Sequence, residues 1–326
     1  MRELTYREAV REALREELQR DNDVFLLGED IGVFGGSYKV TLGLVKEFGT
    51  ERVLDTPLSE VGIVGAAIGA ALVGMRPVAE IMYIDFSTLA SDMMINIAAK
   101  ARFMSGGKLT VPMVMRTQGG GGVSAGPQHS QSLETMFAHI PGLIVVQPST
   151  PYDAKGLLKS SIRNDNPVVF IEHKGLYSTK GNVPEDDYVI PLGKADIKRS
   201  GNDVTIVALQ RSVVYAQEAA KKLAEDGIDV EIIDPMTIKP LDKETIIKSV
   251  QKTGRLLIVY EAAKTYGFGA EIAAIVADEA LFYLDAPIKR VAALDVPIPF
   301  GKHLEDFVLP NASDIVTVCK QLMDRS

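Results

Sequence analysis

Short apolar runs alternate with helical patterns from one end of the chain to the other, the arrangement expected of an α/β protein with mainly parallel sheets. The opening stretch MRELTYREAVREALREELQRD is charged throughout and reads as an amphipathic helix. Strands are then expected at Val24–Gly28, Arg52–Leu54, Pro77–Ile81, Met113–Met115, Leu143–Val146 and Pro167–Ile171. Helices are expected at Leu42–Phe48, along the apolar run after Ser59, at Ser87–Phe103 and at Tyr152–Ile162. From Lys174 to Leu192 the periodicity fails, and Gly175, Gly181, Pro184 and the acidic Glu185–Asp187 mark a linker. Beyond it, strands at Val204–Leu209, Val230–Ile233, Leu256–Tyr260 and Ile288–Val291 alternate with helices at Val213–Glu225, Lys243–Val250, Ala270–Leu284 and Ser313–Met323.

The stretch Asp55–Met75, DTPLSEVGIVGAAIGAALVGM, stands apart. Ser59 followed by Glu60 makes a helix start, and Gly62, Gly65, Gly69 and Gly74 recur along the apolar run behind it. Each interior glycine costs a helix roughly 1 kcal/mol relative to alanine, so the smooth surface needs a reason. Gly65 and Gly69 form a small-xxx-small face that lets another backbone or a flat ligand approach closely. Glu60 admits two readings: an acid complementing the helix dipole, or a carboxyl held against an apolar wall that keeps its proton.

The 326 residues suit two domains of ordinary size. With 35 basic and 43 acidic side chains the net charge is −8, which argues against nucleic acid as a partner. The single cysteine, Cys319, excludes an internal disulfide and a cysteine-rich metal cluster, and makes a cytoplasmic address the default expectation. The charged start lacks the apolar core of a secretory signal. The longest apolar run, Val61–Met75, would span about 22 Å as a helix against a hydrocarbon core of about 30 Å, so no membrane span is expected.

Several local patterns carry candidate chemistry. The turn Gly267-Phe268-Gly269 follows a strand and precedes a helix, but Ile272 stands where a dinucleotide fingerprint needs its third glycine. Glycines 119–122 are not followed by the lysine of a phosphate-binding loop, and read instead as a mobile loop. His129, just after them, is placed to be presented to a cleft or simply to lie at the surface. His139, His173 and His303 lack metal-ligand spacing and read as structural. Met82 and Phe86 lie four apart at a strand's carboxyl end, where an aromatic either packs in the core or forms a flat wall for a heterocycle.

Taken in order, GEDIGVFGGSYKV, DTPLSEVGIVGAAIGAAL, EIMYIDFS, SAGPQHSQSLE, PSTPYDAKGLL, IRNDNPVVFIEH and DVPIPFGKHLE resemble one family over essentially the whole chain. That family is the β subunit of the thiamine-diphosphate-dependent dehydrogenase component of 2-oxo acid and acetoin dehydrogenase complexes. The resemblance implies a transketolase-like fold, with a pyrimidine-binding α/β domain over residues 1–190 and a transketolase-type C-terminal domain over 191–326. Glu60 matches the acid that hydrogen-bonds the cofactor's aminopyrimidine ring and moves its amino group toward the imino form, a task that requires a protonated carboxyl and therefore burial. Phe86 matches the aromatic stacked on the pyrimidine, with Met82 and Leu58 lining the same pocket. His129 matches the histidine presented to substrate and lipoyl group, and Glu29 a second buried acid in a proton relay toward Glu60. Main-chain oxygens of Met113, Ser161 and Ile162, with Asn164 and Asn166, match a monovalent-cation (K⁺) site, although many members carry Asp where this chain has Asn164.

The family pattern for the Mg²⁺-diphosphate, a Gly-Asp-Gly turn with a later Asn, is missing from this sequence. The resemblance therefore implies a separate α subunit that carries it, in a heterotetramer of two α and two β chains, with the glycine face of the Glu60 helix packed at the interface. It further implies acyl transfer to lipoyl-lysine on an acyltransferase core. PSTPYDAKGLL, PVVFIEHKGLY and DVPIPF look most like acetoin dehydrogenases, with pyruvate and branched-chain enzymes close behind. A scaffold that kept the fold and lost the chemistry is the alternative of another class.

Overall fold

The computed structural model describes residues 1–324. The chain divides into two compact units, one made of Met1–Gly119 with Met136–Leu192, the other of Gly120–Thr135 with residues from Gly193 onward. The segment that bears His129 thus belongs to the second unit although it lies within the sequence span of the first.

The first unit opens on strand β1 (Arg2–Thr5), not on a helix. The hydroxyl of Thr5 then caps helix α1 (Tyr6–Arg20) by accepting from the Glu8 amide, and the Glu8 carboxylate accepts from the Thr5 amide. Strand β2 (Val24–Gly28), helix α2 (Leu44–Phe48), β3 (Val53–Asp55), α3 (Glu60–Leu72) and β4 (Arg76–Ile81) follow. The helix expected over Ser87–Phe103 starts later and is widened within: a 3-10 turn occupies Ile84–Thr88, and the helical backbone from 91 to 104 carries a π-helical stretch, Met93–Ala98, before α4 (Ala99–Met104). Such widened turns inside helices recur at functional sites, and no periodicity rule reveals them. Strand β5 (Val114–Gly119), α5 (Glu134–Ala138), β6 (Ile144–Val146), α6 (Pro151–Arg163) and β7 (Val168–His173) complete the main layers. Six parallel strands of this unit run in the order β6-β7-β5-β4-β2-β3. Most of them are buried on both faces and read as apolar runs in the sequence, whereas β5 continues past the expected Met113–Met115 through the polar Arg116, Thr117 and Gln118.

The stretch read as a linker is ordered structure. Strand β8 (Lys180–Val183) pairs antiparallel with β1, Arg2 opposite Val183. Charge on β1 and glycine in β8 hid both strands. Two lysines on α6 are wholly buried and neutralised from α1 and from this same segment: Lys155 by Glu12 at 2.5 Å and Glu16 at 2.7 Å, Lys159 by Glu16 and Asp187.

At the centre of the sheet, parallel register sets Glu80 of β4 opposite Arg116 of β5, and Glu172 of β7 opposite Gln118. Arg116, 1 % exposed, bonds Glu80 through Nη1 and is gripped by Glu172 on two sides, one contact at 2.9 Å. The Tyr177 hydroxyl donates to Glu172 at 2.6 Å. Two acids share one guanidinium, and burial pushes the Glu80 carboxyl above its ordinary range despite the arginine.

The second unit has a five-stranded sheet in the order β14-β13-β10-β11-β9, from β9 (Asp196–Arg199), β10 (Val204–Ala208), β11 (Val230–Asp234), β13 (Leu256–Ala263) and β14 (Lys289–Ala293). Strand β9 is its antiparallel edge and the other neighbours are parallel. A short strand β12 (Thr237–Lys239) follows β11, and the helices are α7 (Arg211–Glu225), α8 (Lys243–Thr253), α9 (Gly269–Glu279), α10 (Lys302–Val308) and α11 (Ala312–Met323). Strands β9 and β12 and helix α10 are too short to establish a period in the sequence. The sheet turns from one winding direction to the other between β10 and β13. No helix among the described residues is long and apolar enough to cross a membrane.

Removing the shared cation isolates two buried carboxyls. Arg116→Leu is expected to lose about 3–5 kcal/mol of stability. Because the folded protein would then hold protons more tightly than the unfolded chain, the loss should deepen as pH rises above the ordinary carboxyl value of about 4.3. Urea unfolding midpoints of both proteins at pH 5 and pH 8 check this: the gap should be wider at pH 8.

Candidate active site

Parallel register aligns the carboxyl ends of three neighbouring strands, with Gly28 opposite both Asp55 and Glu80. Residues just beyond those ends collect on one edge, where open α/β sheets bind ligands. Glu29 follows β2, Glu60 opens α3 after β3, and Met82 and Phe86 follow β4. Around Glu29 the backbone is tightly laid. The Gly32 amide donates to Asp55 Oδ1 at 2.6 Å, a β-carbon on Gly32 would fall 2.4 Å from Asp55 Oδ2, and Gly36, at φ +76°, lies against the Glu80 carboxylate. GEDIGVFGG is thus required by close approach to two acids.

Glu60 is half-buried in the first turn of α3, where the Ser59 hydroxyl accepts from the Gly62 amide at 3.3 Å. The helix start foreseen at Ser59 stands. Glu29 is also half-buried rather than enclosed, and its carboxyl is pushed above the usual range, first by burial and then by the negative charges of Asp30 and Glu60. The charge of Glu60 is thus felt at Glu29. The apolar wall expected around Glu60 is only partly present in this chain: Leu58 is 73 % exposed and Val61 46 % exposed. The exposed side of α3 continues through Ala66, Gly69 and Val73. A β-carbon on Gly69 would meet nothing within 4 Å, whereas one on Gly65 would touch the Met93 sulfur at 3.6 Å.

Phe86 and Met82 are both half-buried. Phe86 ends a chain of rings: it lies edge-on to Tyr83 at 6.2 Å, Tyr83 edge-on to Tyr38 at 6.3 Å, and Tyr38 stacks on Tyr177 at 4.7 Å. Tyr83 holds φ +71°, a conformation bulky residues rarely adopt, and such backbone outliers gather at functional positions. Tyr38 and Tyr83 went unmarked in the sequence, since neither lies in a pattern of its own; the clue available was an aromatic between Met82 and Phe86.

His129, half-buried, lies in the second unit on the Gly120–Thr135 segment. Its glycines are not there for mobility. A β-carbon on Gly121 would fall 2.6 Å from Leu309, one on Gly122 1.7 Å from Arg211, and one on Gly126 2.3 Å from the Phe300 ring. The Gly267 and Gly269 turn likewise seats the Tyr260 ring, with β-carbons 2.4 and 2.3 Å away, a packing role in place of a nucleotide site. His173 is buried, and its Nδ1 accepts from the Gly175 amide at 3.0 Å. His139 and His303 are exposed.

The oxygens matched to a cation site already have partners. Arg76 Nη1 donates to Ile162 O at 3.0 Å and Asn164 O at 3.2 Å, the Asn164 amide donates to Ser161 O, and Val168 N donates to Met113 O. Asn164 Oδ1 accepts twice from Asn166, whose own Oδ1 accepts from Arg102 at 2.9 Å. A cation there would share its carbonyls with a guanidinium, which Asp165 at 2.5 Å partly neutralises. Among the described residues no group of three or more His, Cys, Asp or Glu could hold a metal ion.

Comparison with known proteins gives these features a family. Residues 2–180 match the transketolase pyrimidine binding domain and residues 193–315 the transketolase C-terminal domain. The 2-oxoisovalerate dehydrogenase subunit beta of Bacillus subtilis is 47 % identical over 323 residues, covering 98 % of this chain and 99 % of that one. The acetoin:2,6-dichlorophenolindophenol oxidoreductase subunit beta of the same organism is 48 % identical over 334 residues, covering 99 % and 98 %. The pyruvate dehydrogenase E1 component subunit beta of Rhizobium meliloti is 47 % identical over 321 residues, covering 98 % of this chain and 70 % of its own. Among solved structures, a split-gene transketolase recorded as an inactive beta4 tetramer superposes with a TM-score of 0.81 over 99 % of each chain at 23 % identity, a likeness of fold. With two transketolase domains in series and full-length relatives at this identity, the chain belongs to the family of dehydrogenase β subunits that serve the 2-oxo acid and acetoin dehydrogenase complexes.

Proposed function

We propose that this chain is the β subunit of a thiamine-diphosphate-dependent dehydrogenase component, active only with an α subunit, that cleaves acetoin or a 2-oxo acid and passes the acyl group to lipoyl-lysine of an acyltransferase. The observation that carries the reading is the collection of Glu29, Glu60, Met82 and Phe86 just beyond the carboxyl ends of the adjoining strands β2, β3 and β4 of the first sheet. The half-exposed Phe86 ring and the small outer face of α3 fit a flat heterocycle lying between this chain and a partner.

In that setting Phe86 would stack on the pyrimidine, Met82 and Leu58 would flank it, and Glu60 would hold a proton against the ring nitrogen. The partner that covers Leu58 and Val61 would supply the burial Glu60 lacks here. Bound cofactor supplies the carbanion chemistry at its thiazolium carbon. Glu29, whose carboxyl retains its proton more readily than usual, is suited to pass protons toward Glu60. His129 is the residue for proton donation or charge stabilisation during acyl transfer. Mg²⁺ and the diphosphate would be held by the α subunit, in a tetramer of two α and two β chains, since the Gly-Asp-Gly turn is missing here. Potassium at Met113, Ser161, Ile162, Asn164 and Asn166 would share two carbonyls with Arg76. Acetoin is placed first among substrates on the wording of the local segments; relatives of three specificities stand at 47–48 % identity and do not rank them.

Co-expression with an α subunit, then assay of acetoin, pyruvate and branched-chain oxo acids with an artificial electron acceptor, tests the reading; turnover of none of them would leave a non-catalytic scaffold. Glu60→Gln in the assembled enzyme should keep co-purification and melting temperature while turnover falls by about 100-fold or more. Unchanged turnover removes Glu60 from the mechanism. Gly69→Leu has open space in the isolated chain and gains helix propensity of about 1 kcal/mol, so the β chain alone should melt no lower than wild type, yet pull-down by α should drop sharply.

A further inference from the structure

The glycine run at 119–122 resembles an anion cradle with no lysine behind it, and the second unit contains the anion. Glu305, on α10 and 0 % exposed, places Oε1 2.8 Å from the Gly122 amide and Oε2 2.9 Å from the Ser124 amide and 3.3 Å from the Ser124 hydroxyl. Glu261, near the end of β13, accepts from the Gly121 amide at 3.1 Å. Gly120, Gly122 and Ser124 hold φ of +83°, +84° and +56°. Left-handed residues in such a turn direct successive amides into a concavity that binds anions, and here a side chain of the same chain fills it. Arg211 donates to Gly121 O at 3.3 Å, and Leu309 and Phe300 close over Gly121 and Gly126.

We infer that Glu305 is a positioning residue: its buried carboxylate latches the Gly121–Ser124 turn and thereby fixes the segment that presents His129. The inference concerns the placement of the segment, and bears on turnover only through the proposed role of His129. A buried carboxylate that accepts three hydrogen bonds is satisfied only while the turn stays closed, so carboxylate and turn hold each other in one conformation. An amide in its place keeps the volume but directs an N–H group at one of the backbone N–H donors.

Hydrogen exchange on the assembled α/β enzyme, followed in peptides covering 119–131, tests this with Glu305→Gln and with Gly122→Ala, which leaves the Glu305 side chain in place but strains the turn by putting a β-carbon at φ +84° on the residue whose amide Glu305 accepts. Both variants should speed exchange in that segment at least tenfold and leave Val204–Ala208 and Leu256–Ala263 unchanged. In Glu305→Gln kcat should fall with little change in the KM for thiamine diphosphate, and Glu305→Asp should recover part of the loss. Unchanged exchange at 119–131, or exchange rising equally through the sheet strands, overturns the latch. If the segment loosens as expected while His129→Ala keeps full turnover, the latch stands and the role proposed for His129 fails.

Discussion

Everything at the carboxyl edge of the first sheet is referred to one buried cation. Arg116 ties β4 to β7 across β5 by holding Glu80 and Glu172 at once. The Glu80 side of this junction also touches Gly36, and the Glu172 side anchors Tyr177, on which Tyr38 stacks. The backbone after β2 and the row of rings leading to Phe86 are thus braced on a single guanidinium. Such a cluster is costly to bury and specifies geometry more than it adds stability. Its value lies in setting where the strand ends begin.

The architecture was legible because both sheets announce themselves through apolar runs, and because the helix start at Ser59-Glu60 is local chemistry. Position in the sheet was legible too, since Glu29, Met82 and Phe86 all follow strand-like runs. What escaped depends on distant partners. Strands β1 and β8 pair across most of the first unit, and no window of sequence holds both. The glycines before His129 looked mobile because Glu305, Arg211, Phe300 and Leu309, which fill the space around them, come far later in the chain. The apolar composition of α3 does not by itself tell which of its faces is buried, and Leu58, Val61, Gly69 and Val73 face outward.

The candidate residues differ in how far this chain alone encloses them. The ring stack, the tight turn at Gly32 and the cluster around Arg116 are complete in themselves. Glu60 is half-buried and Leu58 73 % exposed. On the proposed reading, a partner covering α3 would complete the surroundings of Glu60 and so tie activity to complex formation without any moving part.

The ribbon formed by β1 and β8 has a bearing on biosynthesis. Arg2 meets Val183, so the first unit is zipped shut by residues more than half the chain apart in order of translation. Contacts of such span slow folding, and they cannot form until the ribosome has delivered the later strand. The nascent chain would wait with β1 unpaired through the synthesis of six parallel strands, and the charged side chains Arg2 and Glu3 are a safeguard against that exposed edge finding another chain first.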